Sequence, residues 1–203
     1  MAYNSSQSPG QSVFRFRIQL RDVEPVVWRR VLVPTHYNLT QLHRVIQVAF
    51  GWEDSHLHLF KIHGKIFGSP ESDTGRGLHG EGITLAKLGL SPKSKFEYEY
   101  DFGDSWVHVV TVEKVVALSE PVTVPVCLEG MRACPPEDCG GAWGYQEMLE
   151  ALGDPEHPSH EDFKEWLEGG WNPESFDLEK VNASLAKVFK PKTTPRNKKA
   201  TNN

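Results

Sequence analysis

Residues 96–110 read FEYEYDFGDSWVHVV, and they decide the fold class. Aromatic and acidic residues alternate with a period of two, as they do in a half-buried strand. Phe96, Tyr98, Tyr100 and Phe102 fall on one face, expected to line the core; Glu97, Glu99 and Asp101 fall on the other. Gly103, Asp104 and Ser105 make a tight turn, and Trp106 opens a second strand that runs to about Val116. The chain therefore carries a central hairpin.

Working outward, residues 13–20 (VFRFRIQL) also alternate, with Phe16, Ile18 and Leu20 opposite Arg15, Arg17 and Gln19. Residues 26–33 (VVWRRVLV) form a second strand, and the turn residues Asp22 to Pro25 join the two into a hairpin. Thr40 is the expected N-cap of a helix whose Leu42, Val45, Ile46, Ala49 and Phe50 share one face, with Gly51 as its stop. Residues 56–67 read as a strand hinged at Gly64. Residues 68–82 (GSPESDTGRGLHGEG) hold five glycines and read as a long flexible loop on which Arg76 and His79 could close over a ligand. A turn or two of helix follows at 84–90. Pro121, Pro125, Pro135 and Pro136 argue for irregular chain, and helices are expected at 145–152, 159–167 and 176–188. The order ββα, ββ, helices predicts an α+β fold: a mixed, mostly antiparallel sheet with a ββα-ββ core and the C-terminal helices packed on it.

The 203 residues suffice for one ordinary domain, expected over 13–188, with a helical last third from about 143. Residues 1–12 and 189–203 have little to bury and are expected to be disordered. The net charge of −5 conceals an asymmetry: of 22 basic residues, five lie in the last fifteen, and the other 17 face 27 acids. An acidic body repels phosphate backbones, which leaves weak nucleic-acid contact to the basic tail or makes that tail a solubilising end. No apolar run reaches the ~20 residues of a membrane span, and no signal peptide is evident. Three clustered cysteines fit a cytosolic protein with reduced thiols or metal ligands better than one with disulfides.

Residues 127–141 (CLEGMRACPPEDCGG) hold the remaining chemistry. If the 101–108 and 137–141 segments converge, Asp101, Asp104, Glu137 and Asp138 are candidate holders of a divalent ion and His108 a candidate proton carrier. The competing readings are plain: Glu97 and Glu99 on a solvated face, an aspartate bonding its own turn, an acid capping a helix. Cys127, Cys134 and Cys139, together with Asp104 and Glu137, are candidate metal ligands. The thiol spacings are longer than those of a zinc knuckle, so a fourth ligand would come from His108, His157 or His160; otherwise the thiols are small buried hydrophobes. His56 and His58 share a strand face and can chelate a metal or stand half-exposed. Arg15, Arg17, Arg21, Arg29 and Arg30 make the first hairpin basic, for single-stranded nucleic acid beside Trp28 or for pairing with surplus acids. No phosphate-loop, dinucleotide, GxSxG or HExxH pattern is present.

The runs Tyr100 to Trp106 (YDFGDSW) and Pro135 to Gly141 (PPEDCGG), with the Val27-Trp28-Arg29-Arg30 and Phe50-Gly51-Trp52 segments, resemble the plasmid pRiA4b ORF-3-like family. Its members are also labelled insertion-sequence passenger proteins of the TnpR type. The resemblance covers roughly 13–188 and implies an α+β domain of β-grasp-like character in a mobile-element setting, with no assigned activity. A serine resolvase needs a nucleophilic serine among arginines and a helix-turn-helix reader; neither is found. Three readings stand: a cytosolic binding or interaction module, a divalent-metal-dependent hydrolase or nuclease, and a structural zinc domain. Partner and oligomeric state are left open.

Overall fold

The computed structural model describes residues 12–68, 78–118, 125–168 and 170–190. The expectations for the N-terminus before Ser12, for Arg76 in the glycine-rich loop and for the tail beyond 190 lie outside the described residues.

The strands are β1 (Ser12–Leu20), β2 (Trp28–Pro34), β3 (His58–Ile62), β4 (Lys65–Gly68), β5 (Leu78–His79), β6 (Lys95–Tyr100), β7 (Trp106–Ala117) and β8 (Val126–Met131). They form one sheet in the order β5-β4-β3-β6-β7-β1-β2-β8. Every neighbouring pair is antiparallel except β4 with the two-residue β5. The helices are α1 (Leu39–Phe50), α2 (Gly141–Gly153), α3 (His160–Trp166) and α4 (Leu178–Phe189). This is the expected α+β layout. Phe16, Ile18, Tyr98, Tyr100 and Val110 line one sheet face and share a core with Leu42 and Ile46 of α1, Tyr145 and Met148 of α2, and Leu185 of α4. The other face carries paired charges: Arg30 grips Glu113 through Nε and Nη2 at 2.8 and 2.9 Å, and Arg15 Nε lies 2.8 Å from the same carboxylate. Arg21 meets Glu97 and Lys61 meets Glu99. Arg15, Arg21 and Arg30 of the basic hairpin therefore pair with acids, the second of its two expected readings, whereas Arg17 meets Gln19 and lies over the Trp28 ring. Among the described residues, no helix is long and apolar enough to cross a membrane.

Four local expectations are corrected. The N-cap of α1 is Asn38, not Thr40: Asn38 Oδ1 accepts from Gln41 N and Gln41 Oε1 accepts from Asn38 N, a reciprocal cap that leaves Thr40 inside the first turn. The proline-rich stretch contains β8, because its prolines flank 126–131 and none falls within it. As an edge strand, β8 is held from the side by Asn182 of α4, which accepts from Cys127 N (2.8 Å) and donates to Cys127 O (2.9 Å). Phe102 does not continue the aromatic face. Asp101 adopts φ +56°, which ends β6 and turns Phe102 outward to 41% exposure while Asp101 goes inward to 8%. Arg29 is no surface base: it is 2% exposed and reaches the carbonyls of Trp28, Ala49, Met131 and Arg132 at 2.8–2.9 Å.

Candidate functional site

The turns around 101–105 and 137–141 are in contact. Within the first, Ser105 N donates to Asp101 O (2.6 Å) and Gly103 N to Asp101 Oδ1 (2.9 Å), so the aspartate shapes its own turn. Asp104 Oδ2 then accepts from Gly140 N at 3.2 Å. Gly141 permits the approach: a Cβ there would stand 2.4 Å from Asp104 O, and its φ is +69°.

A histidine from a third segment enters this junction. His56, just before β3, packs edge-on to Tyr100. Its Nδ1 is 3.8 Å from Asp101 Oδ1 and its Nε2 is 3.3 Å from Asp138 Oδ1. That Nε2 is shielded from solvent and makes no aligned hydrogen bond among the described residues. One donor atom from each of His56, Asp101 and Asp138 lies within 4.8 Å of the others, the one such trio among the described residues. Two carboxylates and an imidazole form a mixed oxygen and nitrogen donor set suited to a divalent ion.

The other expected site residues are held elsewhere. Glu137 Oε1 accepts from the Tyr100 hydroxyl (2.8 Å) and from Glu53 N (3.0 Å), so it braces the junction rather than joining the trio. Asp104 is the contact between turns described above. His108 is fully buried between Phe50, Trp52 and Tyr98; burial pulls its pKa down to about 3, and it has no route to a substrate as a proton carrier. Cys127 and Cys134 are buried and Cys139 is half-buried; all three are free thiols. Burial raises their pKa values, Cys139 to about 12, so they are neutral, and they meet no third ligand among the described residues. His157 and His160 stand near their own helix entry, where His160 Nδ1 contacts Ala151 O.

His56 also borders a cavity of about 400 Å3. Its walls include His43, Arg44, Asp54, His58 and Phe60. His56 and His58 therefore diverge: His58 stacks on His43 with ring centroids 3.5 Å apart, and burial with His43 beside it lowers its pKa to about 3. Beneath them runs a closed polar ring. The Tyr98 hydroxyl accepts from Gln47 Nε2 (3.0 Å) and so donates to His43 Nδ1 (2.7 Å). That leaves His43 Nε2–H to donate to Asp54 Oδ1 (2.6 Å), and Asp54 N donates back to Gln47 Oε1 (3.1 Å). Sequence reading missed this ring. The signal was His43 and Gln47 sitting one residue beyond Leu42 and Ile46, still within the buried arc of α1.

Residues 12–180 match the family model described as plasmid pRiA4b ORF-3-like protein. The chain is 42% identical over 157 residues to uncharacterized protein y4hQ of Sinorhizobium fredii (strain NBRC 101917 / NGR234), covering 76% of this chain and 80% of that protein. Its fold matches the crystal structure of MM3350, a protein of unknown function from Methanosarcina mazei Go1. The TM-score is 0.75 and the identity 36%, over 84% of this chain and 97% of that one.

Proposed function

This chain belongs to the plasmid pRiA4b ORF-3-like family, and within that family we propose that it is a binding module whose ligand is anchored by a divalent cation at His56, Asp101 and Asp138. The observation that carries the reading is the convergence of three donors, from the lead into β3 and from the two turns, within 4.8 Å. Neighbouring ligands at about 2.1 Å from a tetrahedral ion stand about 3.4 Å apart; His56 Nε2 and Asp138 Oδ1 are already 3.3 Å apart, so it is Asp101 that must close in to complete the set. Without a cation, two carboxylates face each other across an imidazole that has no aligned hydrogen bond at Nε2. Three protein ligands leave coordination positions for a ligand or water. The cavity beside His56 offers room for one, walled by imidazoles and an arginine.

The hydrolase alternative has Asp101, Asp104, Glu137 and Asp138 hold the ion with His108 moving the proton, and the burial of His108 removes that carrier. The zinc-domain alternative needs three or more convergent ligands, and among the described residues the thiols belong to no such group. Unpaired thiols support a cytosolic setting, and the plasmid in the family's description supports a mobile-element one.

Calorimetric titration of Mn2+ or Zn2+ into the chelator-treated full chain tests this. One ion per chain is expected, with Asp138→Asn and His56→Gln each weakening binding at least about tenfold. Asp138 is exposed, so its amide variant keeps the metal-free melting temperature. Absence of stoichiometric binding, or equal binding by both variants, overturns the proposal.

A further inference from the structure

A second recess, about 540 Å3, shares Asp104, Ser105, Gly140 and Gly141 with the turn junction and none of the cation trio. It is bounded by Asp22 and Glu24 from the β1–β2 connection, by Trp106 at the start of β7, and by Trp143 and Gln146 on the first turns of α2. Three features of it lack an internal explanation. Trp143 is 90% exposed, the most exposed large apolar side chain among the described residues. An indole left in water forgoes a large burial gain, and such residues mark contact surfaces. Glu24 and Asp104 have no cationic partner among the described residues, while Arg21 beside them is taken by Glu97 at 2.5 Å. Trp106, 2% exposed in the wall of the recess, has an indole N–H with no hydrogen-bond partner among the described residues.

From this arrangement we infer that the recess docks a lysine- or arginine-bearing segment of a partner protein. A cation held over the Trp143 face gains from the ring quadrupole, and a guanidinium or ammonium there also meets the carboxylates of Glu24 and of Asp104, the latter bonded only to Gly140 N among the described residues. The recess holds three carboxylates against one engaged guanidinium, so a nucleic-acid backbone is repelled from it. Charge complementarity selects a basic peptide over an acidic or neutral one.

The test uses the full chain and a capped Arg-Gly-Lys-Gly-Arg peptide, followed by calorimetry at low and at physiological salt. Wild type binds the peptide more weakly as salt rises. Trp143→Ala lowers affinity about five- to thirtyfold, Trp143→Phe retains most of it, and Glu24→Gln lowers it less while flattening the salt dependence. Both Trp143 variants keep the melting temperature and keep divalent-cation binding, so this result is read separately from the cation site. Equal affinity in wild type and Trp143→Ala, no peptide binding, or Trp143-dependent binding of a neutral oligosaccharide in place of the peptide overturns the inference.

Discussion

Arg29 and His56 each set a nitrogen group against aromatic rings, and the chain treats them in opposite ways. The Arg29 guanidinium lies over Phe50 and Phe176 and donates to four backbone carbonyls, from β2, from α1, and from the end of β8 and just past it. No carboxylate is needed, because the carbonyl dipoles satisfy the donors in place. The His56 ring lies beside Tyr100, faces two carboxylates, and leaves a shielded nitrogen without an aligned bond. The difference teaches where to look for function in this fold: a fully committed polar group builds structure, and an incompletely committed one is available to a ligand.

The harshest way to break that comparison is Arg29→Ala. It empties a buried volume and leaves several carbonyls without donors, with an expected loss of about 3–5 kcal/mol. For a chain of this length that is a fall of about 6–20 °C in melting temperature. Arg29→Lys recovers only part of it, since an ammonium cannot reach carbonyls in a planar fork. Denaturant unfolding measures both. A loss under about 1 kcal/mol would mean that Arg29 is ornamental and that commitment of donors says nothing about structural weight.

Acid sharpens the comparison with a third nitrogen group. His108 has its Nδ1 on Trp106 O, no partner at Nε2 and no exposure. Its folded pKa is lowered to about 3 from 6.5, with burial the leading cause. A lowered histidine pKa means that the unfolded chain takes a proton first as pH falls. Stability is then full above about pH 6.5 and declines toward pH 3, by about 1.4 kcal/mol per pH unit from this group. Urea unfolding between pH 7 and 5 measures the slope, and His108→Gln is expected to reduce it by about that amount. An unchanged slope in the variant would show that His108 accepts a proton inside the fold and so does not belong to the sealed core.

Much of this was legible in residue order, and the exceptions have physical causes. Strands β1, β6 and β7 and helix α1 carried clean periods, whereas the contact between the acidic turns stood only as a condition, because turn formers fix a bend and not what it packs against. Arg29 was hidden by its charge, yet it has the same parity as the buried Val27, Val31 and Val33 and so points inward with them. Phe102 obeyed the alternation on paper, but aspartate tolerates the left-handed region, and one such residue at 101 reversed the pattern. The partner of the two aspartates was the hardest to read. His56 lies 45 residues before Asp101, and no local period links them; only the β3–β6 pairing, His58 opposite Tyr100, brings them together.

That pairing also places the smallest perturbation worth making, Tyr100→Phe, which removes one oxygen from the corner. The Tyr100 hydroxyl donates to Glu137 (2.8 Å) and accepts from Ser55 N (2.9 Å) and His56 N (3.3 Å). Burial first, and the Glu137 carboxylate next, push its pKa well above 10, so it remains a donor at every working pH. The hydroxyl thus ties the backbone carrying His56 to the residue beside Asp138, without being a ligand itself. Its loss is expected to cost about 1–2 kcal/mol of stability in metal-free protein, less than Arg29→Ala. It is also expected to weaken cation binding about tenfold, as loss of a ligand-orienting group does. Denaturant unfolding and calorimetry on the same variant separate the two effects. If stability falls while cation affinity holds, the hydroxyl is a fully committed group of the Arg29 kind and the trio keeps its geometry without it. If affinity falls with stability nearly unchanged, the fold tolerates a loose corner, and Tyr100 acts chiefly to hold His56 and Asp138 apart by the width of an ion.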